Sequence, residues 1–168
     1  FSELLGEIND LEHKMKLAER QISALTRGNG DVALIRQVPG IGLLTSTALV
    51  ACAGSPHHFK SGRHFSSWLG ITPLECSSGN RRWLGRITKR GDKYLRMLII
   101  HGARSVLARA KTLSRSGKPL NRLQRWVVRL EKRVGHNKAT VALANKMARI
   151  CWAVWKHRAP FDPGPALS

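Results

Sequence analysis

The chain has 168 residues, of which 42% are hydrophobic, and a formal net charge of +19 at pH 7. This apolar content excludes a disordered polycation and is enough for one domain with a modest core, or for a small domain plus an extended arm. No run of eighteen apolar residues is present, so the sequence predicts no membrane-spanning segment. The pI of about 11.4 favours a polyanionic partner.

The charge is distributed unevenly along the chain. Residues 1–30 hold four Lys/Arg and five Asp/Glu, whereas residues 31–168 hold 25 Lys/Arg and five Asp/Glu, for a net charge of +20. The first segment is therefore a different kind of module from the rest. Three scattered cysteines indicate a reducing compartment rather than a disulfide framework. Because the chain starts at Phe1 without a Met, we expect it to be a piece of a longer protein.

A heptad pattern predicts one helix over residues 2–26, within a coiled-coil segment at 1–28. The spacing of its apolar residues alternates between four and three, as in the a and d positions of a coiled coil. These residues are Leu4, Ile8, Leu11, Met15, Ala18, Ile22 and Leu25. The partner would be a second copy or a helix from a region outside this sequence. Because three heptads are short, an amphipathic helix packed on its own chain is the alternative. Glycines at 28 and 30 are predicted to end the helix.

Residues 29–54 predict a helix-hairpin-helix around the sequence LIRQVPGIGLLTSTALVACAG. Two glycines, Gly40 and Gly42, would let the hairpin backbone approach a phosphate, with the amides of the second helix pointing at the anion. Such a hairpin contacts the nucleic-acid backbone and carries little sequence information. The alternative is a plain turn between two helices with glycine caps.

Residues 55–158 predict a small helical domain with a basic loop in the middle, and residues 159–168 a frayed tail. Apolar periodicity predicts helices near 61–69, 93–112, 119–134 and 138–157, the last two separated by Gly135-His136-Asn137. Residues 74–91 have no sustained period and predict a loop or a short hairpin. The predicted fold class is therefore mostly α.

Acid–base or two-metal chemistry has no obvious place in this sequence. Beyond residue 30 the carboxylates are widely scattered, whereas a two-metal nuclease site needs several that converge. The adjacent histidines His57 and His58 match no zinc-finger spacing, and we predict no metal site in this chain. If the chain cuts DNA alone, it must therefore use a nucleophile.

The stretch PLECSSGNRRWLGRITKRGD carries the candidate nucleophiles Ser77 and Ser78. A serine that attacks a phosphodiester needs positive charge on the phosphoryl oxygens, a proton acceptor and a held geometry. The nearby cations that would supply the charge are Arg81, Arg82, Arg86, Lys89 and Arg90. No base is adjacent. His64 or His101 would approach only through the fold, and a metal-bound group from another module could serve instead. On spacing alone, a solvated loop is the stronger interpretation.

Several blocks in order resemble one family. They are VPGIGLLTSTALVACAG, FKSGRHFSSWLGITPLECSSGNRRWLGRITKRGDKYLRMLIIHGARSVL and GHNKATVALANKMARICWAVW, with the heptad helix before them. Together they resemble the C-terminal half of the insertion-sequence 110/116/902 transposases over about residues 1–158. The forms ITKRGD and HGARSVL resemble the 1111-type subgroup.

The resemblance implies an RNA-guided DNA recombinase of bacterial cytoplasm, acting at the nucleoid. Members of that family have an N-terminal RuvC-like domain with Asp-Glu-Asp-Asp metal ligands, a coiled coil, and a transposase domain whose serine forms a covalent phosphoserine with DNA. The implied partners are DNA, an element-encoded guide RNA and further copies of the chain in a dimer or tetramer. Because the RuvC-like domain and its expected Mg²⁺ lie outside this sequence, we expect the fragment to be inactive alone.

The family motif is a serine directly before a glycine, which corresponds to Ser78, with Ser77 as second choice. The five loop cations, Gly40 and Gly42 are then the predicted DNA or RNA phosphate contacts. Arg96 and Arg104, two turns apart on one predicted helix, join them, although solvated surface arginines fit equally well. The alternative function is a non-catalytic nucleic-acid-binding module, built on the hairpin and the basic helices. A coiled-coil scaffold alone leaves the charge of residues 31–168 unexplained.

Overall fold

A computed structural model of the chain describes residues 2–76 and 83–164, and most of these residues are helical, as the sequence predicts. The described α-helices are α1 (Ser2–Leu25), α2 (Gly30–Ile35), α3 (Leu43–Ala53), α4 (Gly62–Trp68), α5 (Lys93–Arg115), α6 (Arg122–Val134) and α7 (His136–His157). Two short strands, β1 (Pro73–Glu75) and β2 (Leu84–Ile87), form an antiparallel hairpin, and Pro56–His58 forms a single 3₁₀ turn. None of the described helices has the length and apolarity needed to cross a membrane.

Helix α7 lies at the centre of the core. It packs against α2, α4, α5, α6 and the 3₁₀ turn. Its buried residues include large side chains, among them Leu143, Met147 and Trp155, that fill the space between those neighbours. Alanines on the same helix, such as Ala144 and Ala148, are fully buried and let neighbouring elements approach closely. One cluster of buried residues therefore extends from the α2–α3 region to the end of α7.

The turn between α2 and α3 is held against α5 by a contact between two backbones. Gly40 has a φ of +80°, and a Cβ atom there would lie 2.6 Å from the Gly102 carbonyl oxygen and 2.8 Å from a Met147 methyl carbon. A Cβ atom on Gly102 would in turn overlap the Gly40 carbonyl oxygen. Both glycines are needed, since any side chain would force the turn away from α5.

Helix α6 is joined to both of its neighbours in sequence by polar contacts. The helix starts with a capping box. The Gln124 backbone N–H donates to Asn121 Oδ1, and the Asn121 backbone N–H donates to Gln124 Oε1. Near its end, Glu131 accepts from Lys111 of α5 at 2.8 Å and contacts His136 Nδ1 at 3.0 Å. These two hydrogen bonds hold the pKa of Glu131 below its ordinary value.

Helix α1 forms where the heptad predicts it, but its apolar stripe is uncovered. No residue of Ser2–Leu25 is buried, and Leu4 and Met15 are 63% and 64% exposed. The helix contacts α3, and Ile22 is half-buried, whereas the other a and d positions are exposed. The alternative in which the stripe packs on its own chain is therefore not what the described residues show. The coiled coil stays a prediction, as do the domain boundaries at 28, 54 and 158.

Several details differ from the sequence prediction. Gly135 alone, with a φ of +82°, makes the turn between α6 and α7, so α7 begins at His136 rather than 138. Helix α5 continues to Arg115, beyond the predicted end at 112, and α6 begins at Arg122 rather than 119. The tail does not fray at Phe161, whose ring packs on the core and whose N–H donates to Gln37 Oε1 at 3.1 Å.

We predict that Gly102→Ala destabilises the chain by about 1–3 kcal/mol, because the new methyl group overpacks the contact with Gly40. Gly6→Ala is the matched control, since Gly6 is also helical but has open space at its Cβ position. Urea unfolding followed by circular dichroism measures both variants. Equal midpoints for Gly102→Ala and Gly6→Ala would show that the close contact does not hold the turn.

Candidate nucleic-acid interface

The basic middle region forms the predicted short hairpin. Pro73 is opposite Ile87 and Glu75 is opposite Leu84, with an irregular register between the two pairs. The Cys76 N–H donates to the Trp83 carbonyl at 2.9 Å. This bond joins the chain on both sides of residues 77–82, so the hairpin ladder brings the two ends of that segment together.

The predicted nucleophiles and two of the predicted ligands lie outside the described residues. Ser77, Ser78, Arg81 and Arg82 all fall within 77–82. The interpretation of this stretch as a solvated loop falls on the same residues. The described structure therefore defines where this segment starts and ends, and which groups surround its two ends.

The hairpin is fixed to the helical core by close backbone packing at its base. Gly70 has a φ of +69°, and a Cβ atom there would lie 2.6 Å from the Gly91 nitrogen. A Cβ atom on Gly91 would overlap the Trp68 carbonyl oxygen. The Lys89 N–H donates to the Gly70 carbonyl at 3.0 Å, and Asp92 caps α5 by accepting from the Leu95 N–H at 2.8 Å. The end of α4, the hairpin and the start of α5 thus form one unit.

Arg96 belongs to this support rather than to the open surface. Its Nη1 donates to the Gly91 carbonyl at 2.8 Å, and the side chain is half-buried. A guanidinium has further donors, so a phosphate contact by Arg96 stays a prediction. Its observed contact stabilises the turn before α5.

The other predicted cations of this region that the structure describes are exposed. Arg86 lies on β2, and Lys89 and Arg90 lie between β2 and α5. Lys89 has a φ of +56°, a left-handed conformation that is uncommon for a residue with a side chain. Arg104 is exposed on α5, two turns beyond Arg96. Arg86, Lys89 and Arg90 are thus close in sequence at the foot of the hairpin, the end where Pro73 is opposite Ile87, and Arg104 lies farther along α5.

The two glycines of the predicted helix-hairpin-helix, Gly40 and Gly42, lie at the α2–α3 turn and have different surroundings. Gly40 faces α5 and α7, so its left-handed conformation and its packing explain the glycine without a phosphate. Gly42 is exposed, has open space at its Cβ position, and begins α3 with no side-chain cap. Of the two predicted phosphate contacts, Gly42 is the one whose position is open to a ligand.

The two histidines considered as bases lie in the described part of the chain, on α4 and α5. His64 is exposed, and its Nδ1 accepts from the Lys60 N–H at 3.3 Å. His101 is exposed on α5. Within residues 2–76 and 83–164, no group of three or more His, Cys, Asp or Glu side chains is arranged to hold a metal ion.

A second basic region was missed by the sequence analysis. A groove of about 760 Å³ lies between α4, α6 and α7, with the side chains of Arg63, Trp126, Lys146, Arg149 and Trp152 among its walls. Burial, followed by the charges of Arg122 and Arg149, lowers the pKa of Lys146. The sequence contained one sign of this basic region. The cations of α6 at 122, 125, 129 and 132 are spaced three or four residues apart, which places them on one helix face.

Comparison with known proteins gives a consistent family. Residues 32–118 match the family described as Transposase IS116/IS110/IS902. A probable family 20 transposase of Pseudomonas aeruginosa is 42% identical over 164 residues, which is 96% of this chain and 46% of that protein. The transposase for insertion sequence element IS1111A of Coxiella burnetii is 38% identical over 136 residues, or 81% of this chain and 36% of that protein.

A third relative, the transposase for insertion sequence element IS1328 of Yersinia enterocolitica, is 38% identical over 117 residues, or 70% of this chain and 33% of that protein. The chain thus spans less than half the length of these curated relatives. The match to the family covers α2 to α5, including the hairpin and its base. The chain therefore belongs to the IS116/IS110/IS902 transposase family, and its similarity to the IS1111A protein fits the predicted 1111-type subgroup.

Proposed function

We propose that this chain is the serine-bearing, nucleic-acid-binding part of an RNA-guided DNA recombinase. The observation that carries the proposal is the hairpin around residues 77–82, which is fixed by backbone packing at Gly70 and Gly91 and has exposed cations at its foot. Membership of a transposase family supports DNA as the substrate. Its partners are DNA, a guide RNA and further copies of the chain, in the bacterial cytoplasm at the nucleoid.

In the proposed reaction, the Ser78 hydroxyl attacks a DNA phosphodiester. A bond forms between Ser78 Oγ and phosphorus, and the bond between phosphorus and one sugar oxygen breaks. The serine proton passes to a base outside this chain, and the released sugar oxygen takes up a proton to leave as a hydroxyl. Reversal of these steps on a second strand rejoins DNA, because the phosphoserine conserves the energy of the phosphodiester.

The cations near the hairpin support the charge requirement of this step. Arg86, Lys89 and Arg90 are exposed, and none has an ion pair among the described residues. Guanidinium groups suit phosphate because their donors form two parallel hydrogen bonds. Arg81 and Arg82 are assigned to the same role from the sequence alone.

The chain needs a second module to complete the site. Its relatives are more than twice as long as the segment that it matches in them. We assign the proton acceptor and a Mg²⁺ ion to a RuvC-like domain in the remaining part of the longer protein. Bound there, the metal would supply positive charge at the reacting phosphate.

The central prediction is that Ser78→Ala in the full-length protein, with RNA and DNA, abolishes strand exchange but leaves nucleic-acid binding nearly intact. A hydroxyl contributes about 1 kcal/mol at most to ground-state binding, whereas covalent chemistry needs the nucleophile. Denaturing electrophoresis with labelled target DNA detects the covalent adduct. Ser77→Ala is the matched control and should retain it.

Two results would change this proposal. An adduct that persists in Ser78→Ala but is lost in Ser77→Ala would move the nucleophile by one residue. Full recombination by the double variant would leave the domain as a binding module only. Arg82→Ala should weaken both binding and rate, since a phosphate ligand acts in the ground state and in the transition state.

We also propose that α1 pairs with α1 of another copy through its a and d positions. Met15→Lys should weaken assembly at least about tenfold, since it puts a charge into an apolar seam. His13→Lys adds a positive charge on the opposite face of the helix and should have little effect. Sedimentation velocity over a concentration series measures both variants. A monomer in all three proteins, or equal assembly of all three, would contradict the pairing.

A further inference from the structure

The groove between α4, α6 and α7 combines aromatic and cationic side chains. Six side chains provide its chemistry: Arg63, Trp126, Asn145, Lys146, Arg149 and Trp152. No Asp or Glu is found among the described residues that line it. Its volume of about 760 Å³ falls within the roughly 300–1,000 Å³ typical of ligand sites.

The aromatic walls are held in place before any ligand arrives. The Trp152 Nε1–H donates to the Pro56 carbonyl at 3.0 Å, which fixes the plane of the indole. Trp126 is half-buried on α6, and the Lys146 ammonium lies 4.3 Å from the centre of its ring. A cation placed on an indole, without a carboxylate partner, keeps its charge available to an anion. The groove therefore offers fixed rings beside unpaired positive charge.

The positive charge continues from the groove along α6. Arg122, Arg125, Arg129 and Lys132 recur every three or four residues, so they lie along one face of the helix. Arg122 is near enough to Lys146 for their charges to interact. None of these four has an ion pair among the described residues. A chain of phosphates can follow this face out of the groove.

We propose that the groove binds an unpaired nucleic-acid strand, with its bases against Trp126 and Trp152 and its phosphates on Arg63, Lys146, Arg149 and the α6 cations. Indole rings stack on bases that are not already stacked in a duplex, which makes the groove selective for unpaired nucleotides. A duplex presents phosphates alone to such a surface, so it uses the cations but not the rings. The inference rests on the proposed function in taking nucleic acid as the ligand.

The position of the groove defines a path from the groove to the hairpin for this strand. Asn145, which lines the groove, donates through Nδ2 to the Ile71 carbonyl at 3.2 Å. Ile71 lies just before β1, so one side chain of α7 touches both the groove and the foot of the hairpin. An unpaired strand that leaves the groove at Asn145 therefore arrives beside the hairpin. This arrangement suits the stage of strand exchange at which DNA or RNA is locally unpaired.

The test is fluorescence anisotropy of the 168-residue chain with labelled oligo-dT, oligo-U and a mixed-sequence duplex of equal length at one salt concentration. Trp126→Leu should weaken binding to the unpaired strands about tenfold and to the duplex less than about twofold, because only unpaired bases stack on the ring. Trp68→Leu is the matched control, since Trp68 is also half-buried but packs on Phe59 and Phe65 outside the groove. Comparison of oligo-dT with oligo-U shows whether the strand is DNA or RNA.

A second experiment tests the role of the positive charges in the groove. It compares Arg149→Gln in the groove with Arg20→Gln on α1, a control that removes the same charge outside the groove. Arg149→Gln should weaken unpaired-strand binding severalfold, and Arg20→Gln should not. Photocrosslinking of a thiouridine-labelled strand to the unmodified chain, followed by peptide mapping, gives a readout that needs no variant. Crosslinks at Trp126 or Trp152 support the groove, and crosslinks confined to other segments overturn it.

The outcomes separate this inference from the proposed function. Equal loss for duplex and unpaired strands in Trp126→Leu, or no loss, overturns the groove, while the Ser78 adduct still tests the recombinase. Loss confined to unpaired strands supports the groove even if no serine adduct forms.

Discussion

Burial of α7 is the constraint on which the rest of the structure depends. The helix has neighbours on several sides, and its large residues and alanines together determine how close each neighbour lies. Met147 of α7 also meets the turn at Gly40, where two backbones touch without side chains between them. The α2–α3 turn, α5 and α7 therefore pack as one body, and the hairpin is carried on the same body through Gly70 and Gly91.

The packing also accounts for the surface charge. Several of the few carboxylates beyond residue 30 already have partners in the fold: Asp31 pairs with Arg158, Asp92 caps α5, and Glu131 joins Lys111 and His136. The cations greatly outnumber the carboxylates, and burying a charge without a partner is costly. Most of them therefore remain at the surface, where they attract a polyanion. A core built around one central helix thus produces a basic exterior with distinct parts, the hairpin foot and the α6 face.

Local signals predicted much of this fold, and long-range contacts account for most of what was missed. The heptad predicted α1, and apolar periodicity correctly predicted the start of α5 at residue 93, because both patterns depend on neighbours in sequence. The glycines of the α2–α3 turn were correctly predicted to form a turn, but their sequence could not show that Gly40 faces Gly102. Arg96 was predicted as a phosphate ligand, whereas its observed partner is the Gly91 carbonyl. Trp126 and Trp152 are far apart in sequence, so only the packing of α6 on α7 brings them into one groove.

The cations of α6 are a different case, because their spacing was readable in the sequence. The individual phosphate contacts predicted from the sequence lie between Gly40 and Arg104, so none of the arginines of residues 122–133 is among them. The spacing of the α6 cations alone does not indicate a binding site. The structure adds the neighbouring groove with Trp126 and Trp152. The candidate nucleophile itself rests on the family motif, since residues 77–82 lie outside the described structure.

We propose that this helical body presents its charge to nucleic-acid phosphates. The most direct measurement is the affinity of the chain for a short DNA duplex between about 50 and 200 mM salt. If about five phosphates are neutralised, the plot of log K against log salt concentration should have a slope of about −4 to −5. An affinity that does not change with salt, or no binding at low salt, would contradict the account.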